Sequence, residues 1–281
     1  MGAQTDLRLR EVTVKSLIVP TGISVADYAI NPYAGCEHAC VYCYARFATR
    51  FSHPGEKWGR FVDVRTNAVE LIAKEAPRKR RGTVMISSVC DAWQPLEAKY
   101  RLTRRCLEVL LENGYSLNIQ TKNALVARDF DLLQGRPGVD VGMTLTTVDE
   151  KVAALFEPGA SPPAERIAVL IKARDAGIRT FVFLGPLLPF ISDRESGLET
   201  LLEAVDKINP AYLLIDRLNP HFRMWTDVSA ALSQCNPELV EAYRKIIFDQ
   251  RVRDMYTEEL RQRIYEEARR HGIINKIRLC F

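Results

Sequence analysis

The stretch GCEHACVYCYAR, residues 35–46, governs how the rest of the chain is read, because it sets Cys36, Cys40 and Cys43 close together in a chain of only seven cysteines. A helical reading puts the three on one face, as a buried stripe of small apolar side chains. Against it, Asn31-Pro32 and Gly35 just upstream favour an irregular loop, and the residues between the cysteines do not complete an apolar face. A structural zinc site normally takes a full tetrahedral set of protein ligands, often as two spaced pairs. Here the remaining ligand has to be recruited from His38, His53 or Cys90, and the spacing selects none of them. Three thiolates in a compact loop also suit a [4Fe–4S] cluster, whose remaining iron is then open to a small molecule.

Outward from this loop, 281 residues with 47% hydrophobic content suffice to bury a large core without covalent staples. The odd cysteine count and the charged start MGAQTDLRLREVTVK point to a reducing cytoplasm, where clustered thiols signify metal binding or catalysis. Apolar runs such as TFVFLGPLLPFI are short and broken by proline, so no membrane span is expected. A net charge of +4 is a weak pointer to polyanions, and PRKRRG, residues 77–82, reads first as a solvated loop.

After an extended segment, residues 1–27, short β-branched or apolar runs alternate with amphipathic helical stretches. Strands are expected at Tyr28–Asn31, Thr83–Ser87, Ser116–Thr121, Val139–Thr144, Arg179–Leu184 and Ala211–Asp216. LTRRCLEVLLENG and PAERIAVLIKARDAG are helices closing on Gly114 and Gly177. The expected architecture is α/β, a partial open (β/α)6 barrel over residues 28–220 with a C-terminal helical cap over 221–281 packed on the same domain; a doubly wound sheet is the alternative. In both, ligands bind at the strand C-termini.

C-x3-C-x2-C with Tyr42 before the last cysteine resembles the signature of the radical S-adenosylmethionine superfamily. The longer string NPYAGCEHACVYCYAR is similar to its DNA repair photolyase-like group, related to spore photoproduct lyase, and ISSVCDAWQPLEAKYRLTRRCLEVL, QTKN, VGMTLTT, GPLLP and DRLNP extend the match. The resemblance implies that Cys36, Cys40 and Cys43 hold a [4Fe–4S] cluster that reductively cleaves S-adenosylmethionine, yielding a 5′-deoxyadenosyl radical that takes hydrogen from a substrate. It implies cofactor contacts for Tyr42, Ser87, Ser88, Asp91, Lys122 and Thr144, with Lys122 on the cofactor carboxylate. For Asp91 helix capping competes with that role, and the small polar residues equally satisfy their own turns.

By its offset from Asp91, the hydrogen-donating cysteine of the lyase falls at Ser88, whereas this chain has Cys90 two residues on. Cys90 is therefore a hydrogen donor from a shifted place, a metal ligand or a packing residue. Cys106, Cys235 and Cys280 read as structural, while Trp93 and Trp225 either stack on a ligand or seal the barrel mouth. A low-potential flavodoxin or ferredoxin is the implied electron donor. The implied substrate is a nucleic acid, with Arg101, Arg104, Arg105 and PRKRRG as weak support; a cofactor precursor, peptide or small metabolite is the alternative. From another class, the rival is a non-catalytic iron–sulfur or zinc protein. A reading motif that interleaves aromatic and basic residues, as a nucleic-acid-binding module would require, is not apparent.

Overall fold

A computed structural model describes residues 7–281; residues 1–6 of the N-terminal segment lie outside the described residues. The apolar runs form parallel strands β1 (Tyr28–Ile30), β2 (Thr83–Ile86), β3 (Ser116–Thr121), β4 (Val139–Leu145), β5 (Arg179–Leu187) and β6 (Tyr212–Arg217), adjacent in chain order. Pairings such as Val84↔Leu117, Ile119↔Val141 and Leu213↔Val182 keep one face of every strand in phase. That face, including Ile119, Val141, Val182 and Leu213, is buried in the main hydrophobic core. The other face lines the concave side, where Phe181, Tyr212 and Leu214 pack together. Gly142 is required there, because a Cβ would meet the Phe181 ring at 2.3 Å.

The sheet stays open. Its edges are the antiparallel strand Val19–Pro20 beside β1 and a further parallel strand, β7 (Ile277–Leu279), beside β6. Helices Leu102–Glu112 and Pro163–Asp175 connect successive strands, with Gly114 and Gly177 just beyond their ends at φ +74° and +73°. Those left-handed values carry a steric cost for a side chain. In the C-terminal segment, helices Trp225–Cys235, Val240–Phe248 and Gln250–Arg270 precede β7. The segment is thus not wholly helical: β7 supplies a strand that the six-strand expectation lacks.

A second, smaller sheet joins Arg8–Val12, Phe61–Arg65 and Tyr33–Ala34, in that spatial order. The cysteine loop leaves its last strand directly, and Gly35 makes the turn at φ +85°, where a Cβ would lie 2.3 Å from the Phe61 carbonyl oxygen. PRKRRG runs into the N-terminal end of β2, whereas the cysteines share a pocket with Ser87 and Ser88, just past that strand's other end. The basic run therefore lies at the wrong end of the sheet to contact a substrate in that pocket.

Candidate active site

Alternation along the strands explains how polar groups collect at one end of the sheet. Residues 117 and 119 of β3 face the helices, and the intervening Asn118 and Gln120 face the concave side, so Lys122 follows them; likewise Thr144 lies among the outward Val141, Met143 and Leu145. Cys36, Cys40 and Cys43 line the same pocket as Ser87, Ser88, Cys90, Asp91, Lys122 and Thr144. All the sequence-predicted site residues except Tyr42 are thus brought together.

The cysteine loop is fixed on several sides. Val41 N–H donates to the Phe156 carbonyl at 2.9 Å, and Gly159 N–H donates to the His38 carbonyl at 3.0 Å. Gly159 permits this approach, since a Cβ would lie 2.2 Å from the Glu37 carbonyl oxygen. Glu37 accepts from Leu96 N–H at 2.6 Å. The buried imidazole of His38 has Nε2 3.3 Å from the Asn123 side-chain amide nitrogen and Nδ1 3.3 Å from Asp91. Burial holds its pKa below the ordinary range, with the neighbouring Asp91 carboxylate working against that shift.

Asp91 ties the site together. Its carboxylate accepts from Trp93 N–H at 2.9 Å, the Thr121 hydroxyl at 2.7 Å and Lys122 N–H at 2.8 Å, with His38 beside it. These donors engage both carboxylate oxygens, so the side chain sets the positions of the β2 and β3 ends. Asn31 does the same work at β1: its Oδ1 accepts from Ser88 N–H at 3.0 Å and Val89 N–H at 3.1 Å, and lies 3.7 Å from Cys90 Sγ. Ser87, at φ +69°, holds the left-handed conformation disfavoured for a side-chain-bearing residue. The Cys90 thiol donates to Ser87 Oγ at 3.4 Å, and burial raises its pKa to about 11, so the sulfur keeps its hydrogen at neutral pH.

Tyr42 stands behind this wall. Its hydroxyl donates to buried Glu157, which pairs with buried Arg166 at 2.6 Å and accepts from Thr146 at 2.9 Å. The Tyr42 ring lies 5.9 Å from the Lys122 ammonium. Burial works against the Lys122 charge, the buried Glu157 carboxylate favours it, and the lysine pKa lies above its ordinary range. Lys122 makes no ion pair among the described residues, which leaves the cation open to a carboxylate ligand.

Several other expectations resolve simply. Trp93 is fully buried and donates to Asp129 at 2.8 Å, so it stacks on no ligand. Arg104 is held by Asp129 and Asp131 at 3.0 and 2.6 Å. Cys106 is core. His53 is clamped between Asp63 and Glu56, outside the pocket.

The donor chemistry fits an electrophilic iron–sulfur group. All seven cysteines are free, and burial pushes the loop thiols up, Cys40 to about 12, so ionisation there calls for a bound positive centre. Cys36, Cys40 and Cys43 face one pocket together, which is the donor set such a group requires.

A family model, the Radical SAM superfamily, matches residues 30–204. The chain belongs to the radical SAM superfamily. An uncharacterized protein of Methanocaldococcus jannaschii, MJ0683, is 35% identical over 191 residues, 68% of this chain and 72% of that protein. Among solved structures, a mutant of spore photoproduct lyase superposes with a TM-score of 0.70 at 15% identity, covering 97% of this chain and 82% of the other. Another lyase mutant, with bound AdoMet and dinucleoside spore photoproduct, gives 0.64 at 17% identity, covering 81% and 67%. In a further lyase structure the chain spans 66% of the other chain. At these identities the likeness is one of fold. The protein is a radical SAM enzyme, and its cofactors are those of the superfamily, a [4Fe–4S] cluster and S-adenosylmethionine. Among the described residues no helix is long and apolar enough to cross a membrane.

Proposed function

We propose that this radical SAM enzyme repairs or modifies a nucleic acid, with Cys90 returning a hydrogen atom to the substrate radical. When bound, the cluster and S-adenosylmethionine supply a 5′-deoxyadenosyl radical that removes a hydrogen atom from the substrate. Cys36, Cys40 and Cys43 hold the cluster. Lys122 pairs with the cofactor carboxylate by a charge-assisted bond, while Ser87, Ser88 and Thr144 border the cofactor. Tyr42 and Asp91 act by position, Tyr42 anchoring the cysteine loop to Glu157 and Asp91 holding the strand ends.

The observation that carries the reading is the Cys90 thiol, donating to Ser87 Oγ on the wall it shares with the three cysteines. Homolysis of its S–H bond moves one hydrogen atom to the substrate and leaves a sulfur-centred radical. One electron and one proton, delivered through a low-potential donor of the flavodoxin or ferredoxin type, restore the thiol. A nucleic-acid substrate is supported by the shared fold of a lyase solved with a dinucleoside spore photoproduct.

Anaerobic reconstitution followed by dithionite and S-adenosylmethionine tests the chemistry. 5′-Deoxyadenosine forms, and Cys36→Ala, Cys40→Ala and Cys43→Ala abolish it. Comparing nucleosides and metabolites between a deletion strain and its parent tests the substrate class; a change confined to small metabolites would overturn the nucleic-acid assignment.

A further inference from the structure

The third cluster cysteine runs directly into YARFATRF, residues 44–51, which alternates aromatic and basic side chains. Tyr44 lines the active-site pocket, donates its hydroxyl to the Ser88 carbonyl at 2.7 Å, and stacks on Phe47 with ring centroids 6.2 Å apart. Phe51 is 83% exposed beneath the Arg50 guanidinium, 4.4 Å from the ring centroid. The loop after β6 repeats the pair: Phe222 is 64% exposed, with the Arg223 guanidinium 5.7 Å from its ring. The two segments meet, since Arg50 and Arg223 border one surface cavity together with Lys57.

Folding does not account for this rim. Exposed phenylalanines gain nothing from solvent, and here they stand beside two arginines that border one cavity, which marks a binding surface. The charge is unbalanced as well. The two carboxylates on that cavity are already engaged, Asp227 by Arg46 at 2.6 Å and Glu56 by His53 at 3.0 Å. Arg50, Lys57 and Arg223 have no ion-pair partner among the described residues.

From these observations, and resting on the nucleic-acid reading above, we infer that Tyr44, Phe47, Phe51 and Phe222, with Arg50 and Arg223, form a platform that binds single-stranded nucleic acid and leads it into the pocket. Flat aromatic faces stack on unpaired bases, which a duplex keeps stacked among themselves, and guanidinium groups beside them neutralise the intervening phosphates. Stacking reads the flat face that every base has, so the platform tolerates many sequences.

The test uses anaerobically reconstituted full chain and a fluorescein-labelled oligothymidylate, with binding read by anisotropy across a salt series. Phe51→Ala and Phe222→Ala each weaken binding by about fivefold or more, the equivalent of roughly 1 kcal/mol of stacking, and Phe51→Trp retains it. Arg50→Ala and Arg223→Ala each lower the slope of log K against log salt by about 0.7. Arg78→Ala and Arg80→Ala, in the basic run at the opposite end of the sheet, leave affinity and slope unchanged. Rim variants that bind like the parent chain, or binding carried by Arg78 and Arg80, would overturn the inference. So would a rim that ignores the oligonucleotide and instead retains an acidic flavodoxin through Arg50 and Arg223. Failure of the radical chemistry is read separately: the parent chain then makes no 5′-deoxyadenosine, whatever the anisotropy shows.

Discussion

A lysine ammonium without a carboxylate partner and a thiol that keeps its hydrogen are unusual neighbours, and each makes a residue-scale prediction. Lys122→Ala removes one charge-assisted bond to the cofactor, so the S-adenosylmethionine concentration giving half-saturation rises about tenfold or more by equilibrium dialysis. An unchanged value would remove Lys122 from the cofactor site. Cys90→Ala leaves cleavage of S-adenosylmethionine in place but alters the product, because the substrate radical loses its hydrogen source; normal product by mass spectrometry would reduce Cys90 to packing. Asp216, at the end of β6, has its pKa raised from 3.8 to about 6 by burial. Between those values the folded protein keeps a proton that the unfolded chain has released, so this group's contribution to stability falls as pH rises through the window. Asp216→Asn removes that dependence, and its melting temperature relative to the parent is therefore more favourable at pH 7.5 than at pH 4; a difference that does not vary with pH would contradict the burial argument. That Cys36, Cys40 and Cys43 share one pocket was legible in sequence because their spacing is local. The engagement of Asp91 by four neighbours and the pairing of Tyr42 with Glu157 were not, since those partners are brought together only by the fold.

Among the elements, the six main strands were readable because each is a short apolar run buried on at least one face and bounded by turns. Arg8–Val12 and Phe61–Arg65 were missed because they pair across about fifty residues of chain, and β7 because three residues carry no period. The aromatic and basic alternation of residues 44–51 is visible in the letters, but the exposure of Phe51 and the nearness of Arg50 to Arg223 arise only in the fold. The segment from β4 into helix Pro163–Asp175, which includes the short helix Glu150–Phe156, rests on the Glu157–Arg166 pair, in which both side chains are 1% exposed. Arg166 also donates to the Ser161 and Thr144 carbonyls at 2.6 and 3.0 Å, so it braces the end of β4. Glu157→Ala strands a buried guanidinium and releases Tyr42, and it costs about 3–5 kcal/mol in denaturant unfolding. A loss below about 1 kcal/mol would mean that water reaches the site and the brace is dispensable.

Across the whole molecule the cysteine loop is the meeting point of otherwise separate parts. It leaves the smaller sheet at Ala34, bonds through Glu37 to the segment after β2, and takes Gly159 onto His38 from the segment after β4. Just beyond it, Arg46 donates to the Cys40 and Val41 carbonyls and pairs with Asp227 of helix Trp225–Cys235. A group bound by Cys36, Cys40 and Cys43 therefore constrains both sheets and the C-terminal helices at once, and its binding free energy adds to the stability of the folded chain. Iron-loaded protein melts at a higher temperature than chelator-stripped protein, and limited proteolysis of the stripped form opens first in residues 35–60. The triple variant Cys36→Ala, Cys40→Ala, Cys43→Ala shows no such gap between iron-treated and untreated samples, which separates occupancy of this site from adventitious iron. Equal melting temperatures for loaded and stripped parent protein would mean that the loop is rigid without its cluster. The contacts to Phe156, Gly159, Leu96 and Asp227 would then suffice on their own to hold the cysteines in register.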